Sequence, residues 1–291
     1  MALKVSLCIC TMNRPEELRR CLASLAGSEA PPYEVIVSDD STDDVTDAVQ
    51  RVVRDFPVAT YLRGPRKGLS ANRNHCLRNA SGELIAFVDD DVVLHPGFLR
   101  RAPEEFDRLV GHHGTDRVIV TGNEIRPDGR YTPSNLSFLG FYTGELATGQ
   151  SPGAICINST LFPAALFQEA VFDENIFFGA EERDISLHAV HLGYRIHYCP
   201  ELTNYHYPSG INRPLYDRVV VISRVYFGLK RYWLYERSPA KFLVFNFYVL
   251  ANAVGNRLKT FKIREALYTM SAFVRAWSLF RSKMRLLKAR T

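Results

Sequence analysis

No two cysteines of this chain are spaced C-x-x-C, which removes the thiolate zinc knuckle and the dithiol redox motif. The six that occur (Cys8, Cys10, Cys21, Cys76, Cys156 and Cys199) suggest no disulfide framework, so a reducing compartment is expected. Long apolar runs are missing too. The longest, from Phe242 to Val254, is interrupted by Asn246 and Asn252 and falls short of the roughly 20 residues that cross a bilayer. No leader pattern precedes the first apolar segment at Val5. The N-x-S/T sequons at Asn79, Asn135 and Asn158 therefore read as chance, and the chain as cytoplasmic. No G-x-G-x-x-G follows that segment, so a dinucleotide site has no support. No internal repeat is visible. Acidic residues are scarce in one place only: of 36 Lys/Arg and 31 Asp/Glu, ten and one lie from Gly255 onward. The body is mildly acidic and the tail strongly basic.

What is present fits one large domain, or a domain with an extension, in 291 residues. The first hundred residues alternate strand and helix. Val5–Cys10, Glu34–Ser38, Val58–Leu62 and Leu84–Val88 read as strands, and Pro15–Leu25, Val45–Arg54 and Leu69–Arg78 as helices. Asn13 is placed to cap the first helix, Pro15 sits in its first turn, and Ser41 to Asp44 cap the second. This rhythm predicts a largely parallel sheet covered by helices. Further on, Val118–Gly122, Ala154–Phe162 and Tyr194–Tyr198 read as strands, and Pro163–Ala170 and Glu181–Leu192 as helices. Residues 123–150, rich in Gly, Pro, Thr and Ser, read as a long loop of the kind used as a binding element or lid. From about Leu215 the pattern is helical to the end, broken at Pro239. The predicted division is 1–212 for an α/β domain and 213–291 for a helical, basic extension.

The chemistry sits where strands end. Leu84–Val88 runs straight into Asp89-Asp90-Asp91. Three like charges there repel unless something positive is bound, and a crevice at the carboxyl end of a strand is where α/β sheets bind ligands. Alternate residues share a face, so Asp89 and Asp91 can point together while Asp90 points away. Hard oxygen ligands held this way suit Mg²⁺ or Mn²⁺, with a phosphate completing the shell. A solvated acidic turn is the ordinary alternative. Three more groups stand beside it: Thr11 with Arg14 after the first strand, Asp39-Asp40 after the second, and Glu181-Glu182-Arg183-Asp184 opening a helix. Asp39 and Asp40 could equally serve as helix caps. The macrodipole favours acids in a first helical turn, which accounts for Glu181 but not for three carboxylates in four positions.

In order and spacing, Val5–Leu25, Val35–Asp44, Gly68–Val92 and Gly153–Ile196 resemble the inverting glycosyltransferase family 2 over most of residues 4–210. The resemblance implies an α/β fold of GT-A type, a Rossmann-like nucleotide-sugar-binding sheet flanked by helices, here with a helical C-terminal extension. It implies a nucleoside diphosphate sugar as donor, of UDP or dTDP type, and a hydroxyl of a glycan or lipid-linked acceptor. Thr11, Arg14 and either Asp39 or Asp40 then serve the nucleoside, where a carboxylate accepts from a uracil or thymine N–H. Lys67 and Arg73 suit the donor diphosphate or base, though a lone Lys or Arg is more often a solvated charge. Asp89-Asp90-Asp91 matches the DXD motif, with Asp91 on the metal and Asp89 reaching the ribose, or the metal through water. His206 falls where many members carry a histidine near the metal or diphosphate; a lone His is also commonly structural. The catalytic base falls on Glu182, in place of the usual Asp, with Glu181 and Asp184 beside it to orient base or acceptor.

Two other readings remain. A sugar-1-phosphate nucleotidyltransferase would carry a Gly-rich, Arg-containing loop where this chain has Thr11-Met12-Asn13-Arg14-Pro15. A non-catalytic nucleotide- or carbohydrate-binding module would keep Asp39 and Asp91 and have no need of Glu182. The tail adds a partner. Aromatics between Tyr216 and Trp233 mix with Arg218, Arg224, Lys230 and Arg231, and Phe273, Trp277 and Phe280 recur beside Arg275, Arg281, Lys283 and Arg285. Such helices can lie on an anionic membrane, here the inner face of the cell membrane, or pack on the body or on a second subunit. Nucleic acid is not expected.

Overall fold

Seven consecutive buried residues, Val5–Thr11, form strand β1 in the computed structural model of the chain. A strand apolar on both faces needs cover on both, which a parallel sheet between helices supplies. β2 (Glu34–Asp39), β3 (Ala59–Arg63) and β4 (Leu84–Asp89) lie parallel in the order β3-β2-β1-β4. α1 (Pro15–Ala23), α2 (Asp43–Arg54) and α3 (Leu69–Leu77) make the crossovers. The structure describes residues 3–144, 146, 150–211, 213–258 and 263–289, without the side chains of 213–215, 217, 218, 253–258 and 263–266. The expected rhythm is present with ends moved by a few residues. All six cysteines are buried and free.

Beyond β4 several expectations need correction. β5 (Val92–Val93) is followed by α4 (Phe98–His113), which has no counterpart in the sequence reading because Pro103 sits inside it. Phe98, Leu99, Ala102, Phe106 and Leu109 nevertheless give it one buried face. β6 (Val118–Arg126) runs past Gly122, and β7 (Gly129–Tyr131) folds back on it, so the expected loop begins as a hairpin. The expected strand Ala154–Phe162 is an isolated bridge at Ala154, a 3₁₀ turn at Ile157–Ser159 and β8 (Thr160–Pro163). α5 (Leu166–Glu169) is short, and α6 (Glu181–His191) is as expected to one residue. β9 (Arg195–His206) is much longer than Tyr194–Tyr198, because Leu202, Asn204 and His206 alternate inward and two of them are polar.

The rest of the sheet runs β4-β8-β6-β9-β5. β5 follows β4 in the chain after only Asp90 and Asp91, yet stands last in that order. The sheet therefore curls back on itself and returns the end of β9 to the end of β4, with Val92 paired to His206.

α7 (Arg213–Lys230), a π-helical turn at Arg231–Tyr235, α8 (Pro239–Leu258) and α9 (Ile263–Lys288) complete the chain. Tyr226, Phe227, Phe245, Ala276 and Phe280 share one buried cluster with Ile176 and Ala180, so apolar contacts cross the expected boundary at 212/213. Truncation after residue 254 removes Phe280 from that cluster. It is expected to lower the urea midpoint markedly, since loss of one buried Phe side chain costs about 3–5 kcal/mol.

The basic side chains expected to face a membrane divide. Lys230 is buried, Arg231 bonds Glu236 and the Ser137 carbonyl, Lys283 lies 3.3 Å from Asp173, and Arg224 lies 4.6 Å over the Phe141 ring. These four have internal partners. Arg275, Arg281 and Arg285 are exposed. Arg218, Arg257, Lys259, Lys262, Arg264 and Arg290 lie outside the described residues or side chains. No helix of the described residues is long and apolar enough to cross a membrane.

Candidate active site

β4 ends at Asp89, and Asp90 and Asp91 form the turn into β5. Asp90 turns inward and is fully buried, accepting from Thr11 Oγ1 at 2.6 Å and pairing with Arg14 at 2.7 Å. Burial pushes its carboxyl up to about 8 against the pull of Arg14. Thr11 and Asp90 thus anchor each other between β1 and β4. Asp89 accepts from Asn158 Nδ2 at 3.2 Å and from Arg73 at 3.1 Å. Asp91 Oδ2 accepts from Arg14 at 2.9 Å and from the Ser209 N–H at 3.0 Å. Its Oδ1 lies 3.1 Å from His206 Nε2 without a hydrogen bond of good geometry. Burial would raise Asp91, but His206 and Arg14 outweigh it and hold the group at about 2.

His206 Nδ1 meets Glu124 Oε2 at 2.8 Å. Burial disfavours the imidazolium, but Asp91 and Glu124 push its pKa up to about 10. Glu124 also takes Arg126 at 2.7 Å and Asn158 at 3.3 Å. Sequence reasoning passed over Glu124 and Arg126, which lay in the supposed loop. An acid at an inward position of a longer β6 was the missing signal. Donor atoms of Asp89, Asp91 and His206 lie within 4.8 Å of one another. Two carboxylates, an imidazole and a buried oxygen lacking a good hydrogen bond fit a divalent cation.

Two cavities meet at this cluster. The first, about 600 Å³, is walled by Thr11, Arg14, Asp40, Arg66, Asp91 and Tyr216 among others. The second, about 670 Å³, is walled by Arg73, Glu124, Arg130, Tyr142, Glu182 and Arg183 among others. Asp89, Arg126 and His206 line both. Each volume is in the range of small-molecule sites.

Asp39 and Asp40 separate. Asp39 is buried and accepts from the Ser41 N–H at 2.8 Å and Tyr61 Oη at 3.0 Å, with Arg63 at 3.4 Å. Asp40 faces the first cavity and accepts from the Arg66 N–H at 2.8 Å. Burial, with Asp39 beside it, raises it to about 7. Lys67 is exposed and outside both cavity walls, while Arg66 lines the first. Tyr216, on α7, stacks on Phe178 at 4.0 Å and closes one side of the first cavity. The sequence reading placed Tyr216 in the membrane-facing tail.

The three acids of α6 also part company. Gly179 precedes the helix at φ +93°, and a Cβ there would sit 2.9 Å from Val220, so only glycine fits. Glu181 folds back and accepts from the N–H groups of Gly179 and Ala180, the two residues before its helix, at 2.6 and 2.9 Å, with Arg73 3.6 Å away. Asp184 points away from both cavities and is buried against Lys230 at 2.7 Å and Tyr235 Oη at 3.0 Å. Glu182 lines the second cavity, and its carboxylate makes no hydrogen bond to a described residue. Burial raises it, Arg73 pulls against the rise, and Glu124, Glu181 and Asp89 add to it, leaving the group at about 8.

Comparison with known proteins identifies the family and the fold. The model of the family described as "Glycosyl transferase family 2" matches residues 6–163. A GalNAc(5)-diNAcBac-PP-undecaprenol beta-1,3-glucosyltransferase of Campylobacter jejuni is 28% identical over 189 residues, 61% of this chain and 57% of that protein. An uncharacterized protein of Mycobacterium tuberculosis is 39% identical over 130 residues, 44% of this chain and 40% of that one. The matched part thus spans about half the length of these relatives. Among solved structures, GalNAc-T7 with UDP, GalNAc and Mn²⁺ superposes with a TM-score of 0.65 at 15% identity, covering 91% of this chain and 55% of that one. The mannosyltransferase PcManGT of Pyrobaculum calidifontis, with GDP-Man and Mn²⁺, superposes with a TM-score of 0.58 at 17% identity, covering 98% and 81%. These likenesses show the fold, and the family match covers more than half of the sequence. The chain therefore belongs to glycosyl transferase family 2, on a GT-A fold.

Proposed function

We propose that this chain is an inverting, metal-dependent glycosyltransferase. It moves a sugar from a nucleoside diphosphate donor, of UDP or dTDP type, to a hydroxyl of a glycan or lipid-linked acceptor. One observation carries the reading. Glu182 is the acid of α6 whose carboxylate makes no hydrogen bond to a described residue, and it lines a cavity that shares Asp89, Arg126 and His206 with the cavity lined by Asp40 and Asp91. A single displacement needs a base on the acceptor side, charge stabilisation on the leaving side, and the reacting carbon between them.

The first cavity suits the donor. Asp40 is the carboxylate suited to a nucleobase N–H, because Ser41 and Tyr61 occupy Asp39. Asp89, Asp91 and His206 would hold Mn²⁺ or Mg²⁺, and the imidazole favours Mn²⁺. A bound divalent ion supplies charge neutralisation for the departing diphosphate. On the other side, Glu182 takes the acceptor hydroxyl proton as that oxygen attacks the anomeric carbon. A base poised near working pH suits this step. Glu181 and Asp184 are both committed elsewhere, and Asp89 and Glu124 pair with Arg73, Arg126 and His206, which leaves Glu182 as the carboxylate of this cavity without an ion pair among the described residues. The placement of Glu182 favours this reading over a nucleotidyltransferase or a binding module.

An α-linked donor is accordingly expected to give a β-linked product, read from the anomeric proton by NMR. A retained configuration overturns the mechanism. EDTA is expected to stop turnover and added Mn²⁺ to restore it.

The C-terminal helices suit an anionic membrane. Leu243, Phe247 and Val274 are 68%, 76% and 64% exposed beside a groove of about 920 Å³ edged by Arg281 and Arg285. Each Arg near an anionic surface contributes about 1 kcal/mol. Binding to phosphatidylglycerol vesicles, weakened by salt, is the expected result. Phe247→Glu should reduce that binding several-fold with donor turnover unchanged; equal binding by the variant would rule out this face.

A further inference from the structure

We propose that the second cavity receives the acceptor as a neutral pyranose ring laid against the face of Tyr142. The inference rests on the reading of Glu182 as base on the acceptor side, and it names what the acceptor presents there. Four arginines and four carboxylates stand in the described wall of this cavity, which gives a charged ligand no net bias. The other large groups of the wall are the rings of Tyr131, Tyr142 and Phe178. Phe178 is stacked on Tyr216 at 4.0 Å. Tyr131 lies under Arg126 at 4.0 Å and donates its hydroxyl to Asp128 at 2.7 Å. Tyr142 is the least engaged of the three. Its ring centre is 5.7 Å from the Arg183 guanidinium, its hydroxyl makes no hydrogen bond to a described residue, and it is 46% exposed.

The backbone holds that ring in place. Leu136 and Tyr142 pair across a small hairpin, in which the Ser137 N–H donates to the Phe141 carbonyl at 2.8 Å and the Thr143 N–H to the Asn135 carbonyl at 3.1 Å. Gly140 turns its tip at φ +79°. Other elements then pin the tip. Arg231 Nη1 donates to the Ser137 carbonyl at 2.7 Å, Arg183 Nη1 to the Gly140 carbonyl at 2.8 Å, and Tyr232 Oη to the Phe138 carbonyl. Phe138 also stacks on Tyr232 at 5.2 Å. Tyr142 is therefore mounted on a preordered element, and a ligand that covers it loses little to ordering the site. The faces of a pyranose carry C–H groups made partly positive by the neighbouring oxygens, and the face of an aromatic ring is negative. An open-chain polyol offers the same hydroxyls and no such face. Glu182 stands in the same wall, so a sugar on Tyr142 has its hydroxyls in the cavity of the base.

The test uses the full chain loaded with Mn²⁺ and whichever of UDP, dTDP or GDP binds it, titrated by ligand-observed NMR. The probes are methyl β-glucoside, methyl β-galactoside, methyl N-acetyl-β-glucosaminide and, as a hexose chain without a ring, glucitol. At least one pyranoside is expected to bind about fivefold or more tightly than glucitol. Tyr142→Leu is expected to abolish that preference, and Tyr142→Phe, which keeps the ring, to retain it within about threefold. Nucleotide affinity and the urea midpoint should stay native in both variants, since Tyr142 is exposed and outside the first cavity. Three results overturn the proposal: no pyranoside preferred to glucitol, a preference that Tyr142→Leu leaves intact, or a preference that Tyr142→Phe loses as fully as Tyr142→Leu. Binding is read without turnover, so a wrong base assignment shows separately, as unimpaired transfer by Glu182→Gln. Failure to bind any nucleoside diphosphate would instead overturn the donor reading.

Discussion

Glu182→Gln is expected to transfer sugar 10²–10⁴-fold more slowly than the native chain while binding the nucleotide sugar with unchanged affinity. Glutamine nearly copies the shape of glutamate and cannot take a proton. Glu182 lines the second cavity only, so donor contacts in the first are untouched. The native rate should fall on the acid side as Glu182 takes up its proton, with the inflection at or below about 8, because a cation at Asp89 and Asp91 pulls it down. The glutamine variant has no such limb. Glu182→Asp keeps the carboxylate and should retain measurable transfer. Single-turnover rates across pH, with donor affinity measured in parallel, check all three. A glutamine variant with most of its activity would remove the base assignment.

Lys230→Met is expected to cost about 3–5 kcal/mol of stability, the usual price of leaving buried charges without their partner. Lys230 is buried, with Nζ 2.7 Å from both Asp173 and Asp184. Tyr226 Oη donates to Asp173 at 2.9 Å and Tyr235 Oη to Asp184 at 3.0 Å. The substitution leaves Asp184 without its cation and Asp173 with Lys283 alone. Urea midpoints at pH 7 read the loss. Combining it with Asp184→Asn should cost less than the two single changes together, since they break one network. Acidification should narrow the gap. Burial raises the Asp173 carboxyl, but Lys230 and Lys283 outweigh it and hold the group well below its ordinary range. Its share of stability is thus complete above that range and lost as pH falls through the folded value. A loss near zero at pH 7 would mean that these charges do not bind the helices to the body.

Much of the fold was legible because its signals are local. Val5–Cys10 and Leu84–Val88 are apolar on both faces, so they announce a covered parallel sheet wherever they lie. Asp89-Asp90-Asp91 predicts a cation site because alternation along a strand needs only neighbours in sequence. The failures were also local in origin: Pro103 concealed α4, and the polar inward positions Asn204 and His206 concealed the far half of β9.

By itself, then, the sequence determined the parallel half of the sheet, the run of carboxylates at the end of β4, and the presence of acids at the head of α6. Tertiary structure alone decided which side chains act together. His206 reaches Asp91 because the sheet curls until β9 meets β5. Asp40 rather than Asp39 faces the cavity because Tyr61 and Ser41 take the other carboxylate. Successive residues of a helix point about 100° apart, so Glu181 and Glu182 face different ways. The rotation of α6 against α7 assigned one acid to the N–H groups just before the helix, one to the cavity and one to Lys230. Lys230 itself reads as a surface charge in a basic tail, and it is buried because both of its carboxylates come from a distant part of the chain.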